Sequence, residues 1–175
     1  MPKFHHQLLA GLFAAVSFAV QAQVPSHIGR AESSQKDHEA ILQVTRDFQA
    51  TLIDKDGDKL SSLLLNPKIL FSSPASPAGV RKRRGEGDAN FDGVDPAGAA
   101  GFVEFIASSK VRIEERFYNI RITQDRHLAW VIFDFEFLEA GKVENHGVET
   151  WQMLKTADES WKILSVVWSS HGAPK

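Results

Sequence analysis

Apolar residues recur at helical spacing from His38 to Ile53, where Ile41, Leu42, Val44, Phe48, Leu52 and Ile53 mark the buried stripe of a first helix capped by Asp37. The string Asp54-Lys55-Asp56-Gly57-Asp58 ends that helix and starts a shorter one over Lys59–Leu65, which Asn66-Pro67 stops. Ile69-Leu70-Phe71 reads as a short buried strand. Asp95-Pro96 then signals a third helix: the Asp caps free amides, and the Pro pre-sets the first helical dihedral. That helix runs to about Ser108, with Phe102, Val103, Phe105 and Ile106 as its stripe. From Val111 the period becomes two. Four strands follow, Val111–Thr123, His127–Glu139, Lys142–Thr156 and Ser160–Ser170, joined by turns at Gln124-Asp125-Arg126, Ala140-Gly141 and Ala157-Asp158-Glu159. Links this short force an antiparallel meander. The expected architecture is an α+β roll, three N-terminal helices packed on a curved antiparallel sheet.

The alternation also assigns an inside and an outside. Ala129, Val131, Phe133, Phe135 and Phe137 share one face, and bulky apolar residues belong against the helices. On the next strand the inward set is read as His146, Val148, Thr150, Gln152 and Leu154, and on the last as Trp161, Ile163, Ser165, Val167 and Ser169. That leaves Trp130, Ile132, Trp151, Met153, Leu164, Val166 and Trp168 pointing outward. A patch of this kind on a soluble protein marks an interface. The simplest partner is a second copy about a two-fold axis, with Trp130, Ile132, Trp151, Met153, Val166 and Trp168 at the homodimer contact. Two alternatives stand: inside and outside are exchanged, or the long loop between strand and third helix folds over the patch.

The ends and the composition narrow the class. Lys3, His5 and His6 precede the apolar run Leu8–Val20, and Val20-Gln21-Ala22 supplies small residues at cleavage spacing. Residues 1–22 are therefore expected to be a signal peptide, too short to span a bilayer, and the mature chain to be periplasmic or secreted. Residues 23–36 read as a flexible lead-in and 37–171 as one domain. There is no cysteine, so export contributes no disulfides. A net charge of −2 argues against nucleic acid as a partner, and no second hydrophobic stretch suggests a membrane span. Residues 72–94 form a long loop rich in Ser, Pro, Gly and charge, placed where a lid could sit. Its run Arg81-Lys82-Arg83-Arg84 is either solvated charge or an anion-binding contact. The Asp54–Asp58 string lacks the closing Glu of a calcium loop, since that place is Leu65. No His or carboxylate spacing suits a metal, and no cofactor is expected.

The sequence Gly147-Val148-Glu149-Thr150-Trp151-Gln152-Met153-Leu154-Lys155, followed by Trp161-Lys162-Ile163 and Trp168-Ser169-Ser170-His171, resembles the NTF2-like superfamily, in particular SnoaL-like and DUF4440-type bacterial proteins. The resemblance runs over His38–His171. It implies a cone-shaped roll with an apolar cavity between sheet and helices, and a dimer packed through the sheet. The superfamily holds isomerases, dehydratases, cyclases, epoxide hydrolases and non-catalytic binding proteins, so the fold leaves function open. DUF4440-like relatives often carry His at the places matching Ser165 and Val167, and this chain departs from them there.

Two groups of residues carry candidate chemistry. Glu115, Tyr118 and His146 are the candidate acid–base set: a buried Glu has a raised pKa, and Tyr can donate to a developing oxyanion. One of Glu114 and Glu115 turns inward; the competing reading is a surface Glu paired with Arg112 or Arg116, and a bulge near Phe117 would swap the faces. Phe133, Phe135, Thr150, Gln152, Ser165 and Ser169 are the candidate ligand-binding set, a small apolar ligand being the partner. Three readings follow. The chain is a dimeric pocket protein, or a small lyase or isomerase, or an interaction module whose cavity Phe133, Phe135 and Phe137 fill. A void below roughly 300 Å³ favours the last.

Overall fold

The structure, a computed structural model, describes residues 25–26, 28–94 and 98–173. The chain divides into two units, Met1–Arg30 and Ala31–Lys175. In the first, Ile28 N–H donates to Pro25 O at 3.0 Å and closes a turn. The apolar run Leu8–Val20, its cleavage residues and the Asp95-Pro96 helix start lie outside the described residues.

The second unit opens on α1 (Gln35–Asp54), which buries Ile41, Val44, Phe48 and Leu52 along one stripe. Its cap is Ser34 rather than Asp37. Ser34 Oγ accepts from Asp37 N–H at 3.0 Å, and Ser34 O–H donates to Asp37 Oδ2 at 2.8 Å, so cap and third residue satisfy each other. The lead-in is held just ahead of it, where Glu32 pairs with Arg126 and Ser34 N–H reaches Gln124 Oε1. Lys55 ends the helix in the left-handed region (φ 57°), and Asp56 caps α2 (Gly57–Leu63) by accepting from Lys59 N–H at 2.9 Å. The acidic string thus acts as one stop and one start.

The expected loop at 72–94 contains a helix, α3 (Pro77–Gly85). Ser76 caps it by accepting from Gly79 N–H, and Pro77 occupies its first turn. That start signal is hidden in a composition that otherwise reads as loop. The basic run lies on this helix. Arg84 Nε donates to Phe91 O at 2.9 Å and the Arg83 guanidinium sits 4.4 Å over the Phe91 ring, so half of the run braces its own segment. With α4 (Ala100–Ser108), the described residues carry four helices, one more than predicted.

The meander is β2 (Ile113–Asp125), β3 (Leu128–Glu139), β4 (Lys142–Lys155) and β5 (Trp161–Trp168), each antiparallel to the next. The short strand β1 (Leu70–Ser72) joins the free edge of β5 in parallel, and β6 (His171–Gly172) pairs with β4. The order is β1-β5-β4-β3-β2, a mixed and curved open sheet rather than a purely antiparallel one. With helices packed on it, the class is α+β as expected.

The inward face is corrected by two bulges. In β3, Val131, Phe133 and Phe135 do face the helices. The β3–β4 hairpin starts in simple register, Glu139 opposite Lys142 and Leu138 opposite Val143, but Phe137 then pairs with Asn145 and leaves Glu144 over. One extra residue exchanges the faces of everything beyond it. Phe135 therefore meets Gly147, Phe133 meets Glu149 and Val131 meets Trp151. The inward set of β4 is Gly147, Glu149, Trp151, Met153 and Lys155, while His146, Val148, Thr150 and Gln152 go outward. In β5 the register slips again: Met153 faces Ile163 but Gln152 faces Ser165, leaving Leu164 over. Trp161 and Ile163 remain inside as predicted, and beyond the slip Val166 and Trp168 turn in while Ser165 and Val167 turn out. Of the six residues assigned to a dimer contact, Trp151, Met153, Val166 and Trp168 belong to the interior, and only Trp130 and Ile132 lie on the outer face.

Trp151 shows what the inner face does. It is fully buried, with ring centroids 5.0 Å from Phe48, 5.1 Å from Phe133 and 5.6 Å from Phe117. Truncating a buried aromatic of this kind to Ala costs about 3–5 kcal/mol. Gly147 on the same face is required by space, since a Cβ there would come 2.3 Å from Ser169 O.

Candidate functional site

The inner face lines an aromatic recess of about 180 Å³ that opens to the surface. The helices and β1 supply Phe48, Phe71, Phe102 and Phe105, and the sheet adds Phe135, Phe137 and Trp168. Their rings form a near-continuous wall: Phe71 lies 4.8 Å from Phe102 and 4.9 Å from Trp168, and Phe48 lies 6.2 Å from Phe102. Three polar groups break it, Glu115, Glu149 and Asn145. Among the described lining residues there is no Lys, Arg or His.

Glu115 is 5% exposed and Glu149 4%. Gln49 Nε2 donates to the Glu115 backbone carbonyl at 2.9 Å and so fastens this stretch of β2 to α1. The Glu115 carboxyl itself has no hydrogen-bond partner among the described residues. Glu149 is fixed from its own strand, because Trp151 Nε1–H donates to its Oε1 at 2.5 Å. Burial pushes both carboxyls up, and the Glu149 charge pushes Glu115 further. Glu149 rises to about 8 even though the Trp151 hydrogen bond favours its charged form. Two like groups in one dry site titrate as a unit, and the first proton to leave is the one on Glu149, where an N–H waits to stabilise the charge. Both carboxyls are thus held largely protonated near neutral pH in one cavity, and Glu149, with the Trp151 N–H beside it, is the one whose carboxylate is stabilised. Asn145 adds an acceptor: its Oδ1 is buried without a hydrogen-bond partner.

The predicted sets are rearranged. Glu115 is inward, as required, and Glu114 takes the surface role, pairing with Arg112 and Arg116. Tyr118 is 43% exposed on the outer face, its hydroxyl donating to Glu136 Oε2 at 2.8 Å. His146 lies outside too, opposite Glu136 and 5.5 Å from the His171 ring. Neither joins Glu115. Of the ligand-binding set, Phe135 lines the cavity and Phe133 fills the core beneath it. Thr150, Gln152 and Ser165 sit on the outer face, where Thr150 Oγ1 donates to Val167 O and Ser165 Oγ to Gln152 Oε1. Ser169 Oγ accepts from Val148 N–H and locks the strand end. Glu149 and Asn145 are the residues the sequence reading missed. The signal for Glu149 was present in the alternation Glu149, Trp151, Met153, whose apolar members belong inside.

A curved mixed sheet covered by helices, with a recess of about 180 Å³ between the layers, defines the α+β architecture. By sequence, no family profile matches the chain, and no curated protein matches it either. By structure it is similar to an NTF2-like protein of unknown function from Shewanella baltica OS155, at 10% identity and a TM-score of 0.55 over 81% of this chain and 100% of that one. It is also similar to an NTF2-like protein from Cytophaga hutchinsonii ATCC 33406, at 15% identity and a TM-score of 0.57 over 79% and 100%. A third is a proposed dehydratase of the NTF2-like family from Streptomyces avermitilis, at 20% identity and a TM-score of 0.54 over 79% and 98%. The chain has the NTF2-like fold.

Proposed function

We propose that this chain takes a compact small molecule into the aromatic cavity and moves a proton on it, as a lyase or isomerase does. One observation carries the reading: two buried carboxyls, unmatched by any cation, share a single cavity. Burying a charge without a partner is costly, so such a pair is retained against stability. Glu149, steadied by Trp151, acts as the base that removes a proton from carbon. Glu115, held protonated, returns its proton to the substrate's oxygen or to another carbon. The aromatic wall leaves both carboxyls buried, with little contact with water. The dehydratase proposed for a similar fold is consistent with this chemistry. At about 180 Å³ the cavity falls below the roughly 300 Å³ of ordinary ligand sites, which by itself favours an interaction module with a filled core; the two buried carboxyls in its wall are what support a ligand, and the size limits it to about one ring.

The test is exchange at carbon. Cyclohexanone incubated with the full chain in heavy water should show protein-dependent loss of its α-proton signals, abolished in E149Q. If cyclohexanone binds without exchange, the chain is a ligand carrier; if it does not bind, the cavity reading is wrong for single-ring ketones.

The proposal extends to export and to self-association. The Leu8–Val20 run supports the first. The second rests on the outer sheet face, where Trp130, Val148 and Leu70 are each at least 40% exposed. Native mass spectrometry of the exported protein reads both.

A further inference from the structure

The cavity's polar content is one-sided. Glu115, Glu149 and Asn145 Oδ1 all present oxygen, and no described lining residue presents a cation. Of these, Asn145 Oδ1 is wholly buried without a hydrogen-bond partner, and the Glu115 carboxyl meets burial and the Glu149 charge with no side-chain donor beside it. The rest of the wall is ring face.

We infer that the molecule this cavity is built for carries a basic nitrogen, and that it binds as a small single-ring ammonium ion. The inference rests on the cavity reading above and names its substrate class. An anion meets no cation in the described lining and opposes ionisation of either carboxyl, so it is disfavoured. A hydrocarbon leaves Asn145 Oδ1 and the Glu115 carboxyl unsatisfied, at a desolvation penalty for each, and Glu149 with only its Trp151 bond. A hydroxyl satisfies one of them. A primary ammonium has three N–H donors, as a lysine head group does, one for each acceptor. Its charge is also drawn to ring faces, and cages of aromatic side chains are a recurring way to hold such ions. Phe71, its ring centroid 4.8 Å from Phe102 and 4.9 Å from Trp168, centres a cluster of ring faces in the same wall.

Binding also completes the chemistry proposed for the site. A cation beside Glu149 stabilises its carboxylate and so prepares the base. The balance is simple. The ligand enters already protonated, one carboxylic O–H bond breaks at the Glu149–Glu115 pair, and that proton leaves to buffer. Nothing is oxidised or transferred to the ligand. Near neutral pH the uptake of one ammonium ion releases up to one proton.

Titration calorimetry of the full chain with benzylammonium, benzyl alcohol and benzoate, each in two buffers of different ionisation enthalpy, tests this. Benzylammonium should bind at least 10-fold more tightly than benzyl alcohol and release a proton, while benzoate should not bind. E115Q and E149Q, confirmed as folded by circular dichroism, should lose that preference and retain the alcohol. N145L should weaken benzylammonium more than the alcohol. If the alcohol binds as tightly as the ammonium, or no proton is released, the inference falls and the cavity reading stands. If none of the three binds, both fall.

Discussion

The two ends of the inner sheet face hold carboxylates in opposite circumstances. At one end, Asp37 accepts from Ser34 O–H, Gln124 Nε2–H, Trp161 Nε1–H and Lys155 Nζ, the last at 3.0 Å. These donors, Ser34 first, hold it far below the usual carboxylate range. At the other end, Glu115 and Glu149 have one donor between them, and burial drives both far above it. The motif Gly147-x-Glu149-x-Trp151-x-x-x-Lys155 spans the two, all on one face of β4. Lys155 and Trp161 satisfy the charge that builds the fold, and Glu149 is left where a ligand must satisfy it. A carboxylate fully supplied with donors marks structure; a buried pair left short marks a site.

The largest expected effect is a pH dependence that separates the two ends. A carboxyl raised by folding contributes stability that is complete below its unfolded value and is lost as pH rises through its folded value. For Glu149 that window runs from 4.5 to about 8. Urea unfolding at pH 9 should therefore find E149Q more stable than the parent by on the order of 5 kcal/mol, at about 1.4 kcal/mol per pH unit, with little difference at pH 4. Equal stabilities at pH 9 would remove the contrast. Next, D37A should cost about 2 kcal/mol at pH 7, because it strands several donors at once. Asp37 is lowered by folding, so its contribution is complete above 3.8 and fades as pH falls further. The D37A penalty should thus be flat from pH 5 to 9, where E149Q changes steeply.

Two smaller effects concern the outer face. Y118F should leave cyclohexanone exchange unchanged and shift stability by no more than about 0.5 kcal/mol, because its hydroxyl meets Glu136 outside the cavity. A loss of exchange would return Tyr118 to the acid–base set. W130K should likewise change monomer stability by under about 0.5 kcal/mol, Trp130 being 44% exposed. Its readout is mass: a dimer in the parent and a monomer in the variant supports self-association through that face.

The elements were legible because their signals are local. The Ile41–Leu52 stripe, the three-Phe alternation of β3 and the short hairpin turns each sit inside one window of sequence. The polar part of the site was legible only in Glu115, and its apolar wall in Phe135 and Phe137. Bulges at Glu144 and Leu164 are invisible to a period-two count, and each reverses every side chain beyond it. Carrying the β3 pattern unbroken through Ala140-Gly141 put Thr150 and Gln152 inside and Glu149 and Trp151 outside. Two tryptophans, a Met and a Val expected at a dimer contact were core residues seen from the wrong side. Asn145 had no signal at all, since its place in the wall depends on the bulge beside it.

The central claim is that Glu115 and Glu149 share protons in one dry cavity. Carboxyl-carbon NMR of the full chain labelled at Glu, with E115Q and E149Q to assign the signals, follows both groups from pH 3 to 10. The account predicts two coupled steps, both well above the ordinary Glu value of 4.5, with Glu149 ionising first. Independent titration of both near 4.5 would contradict it.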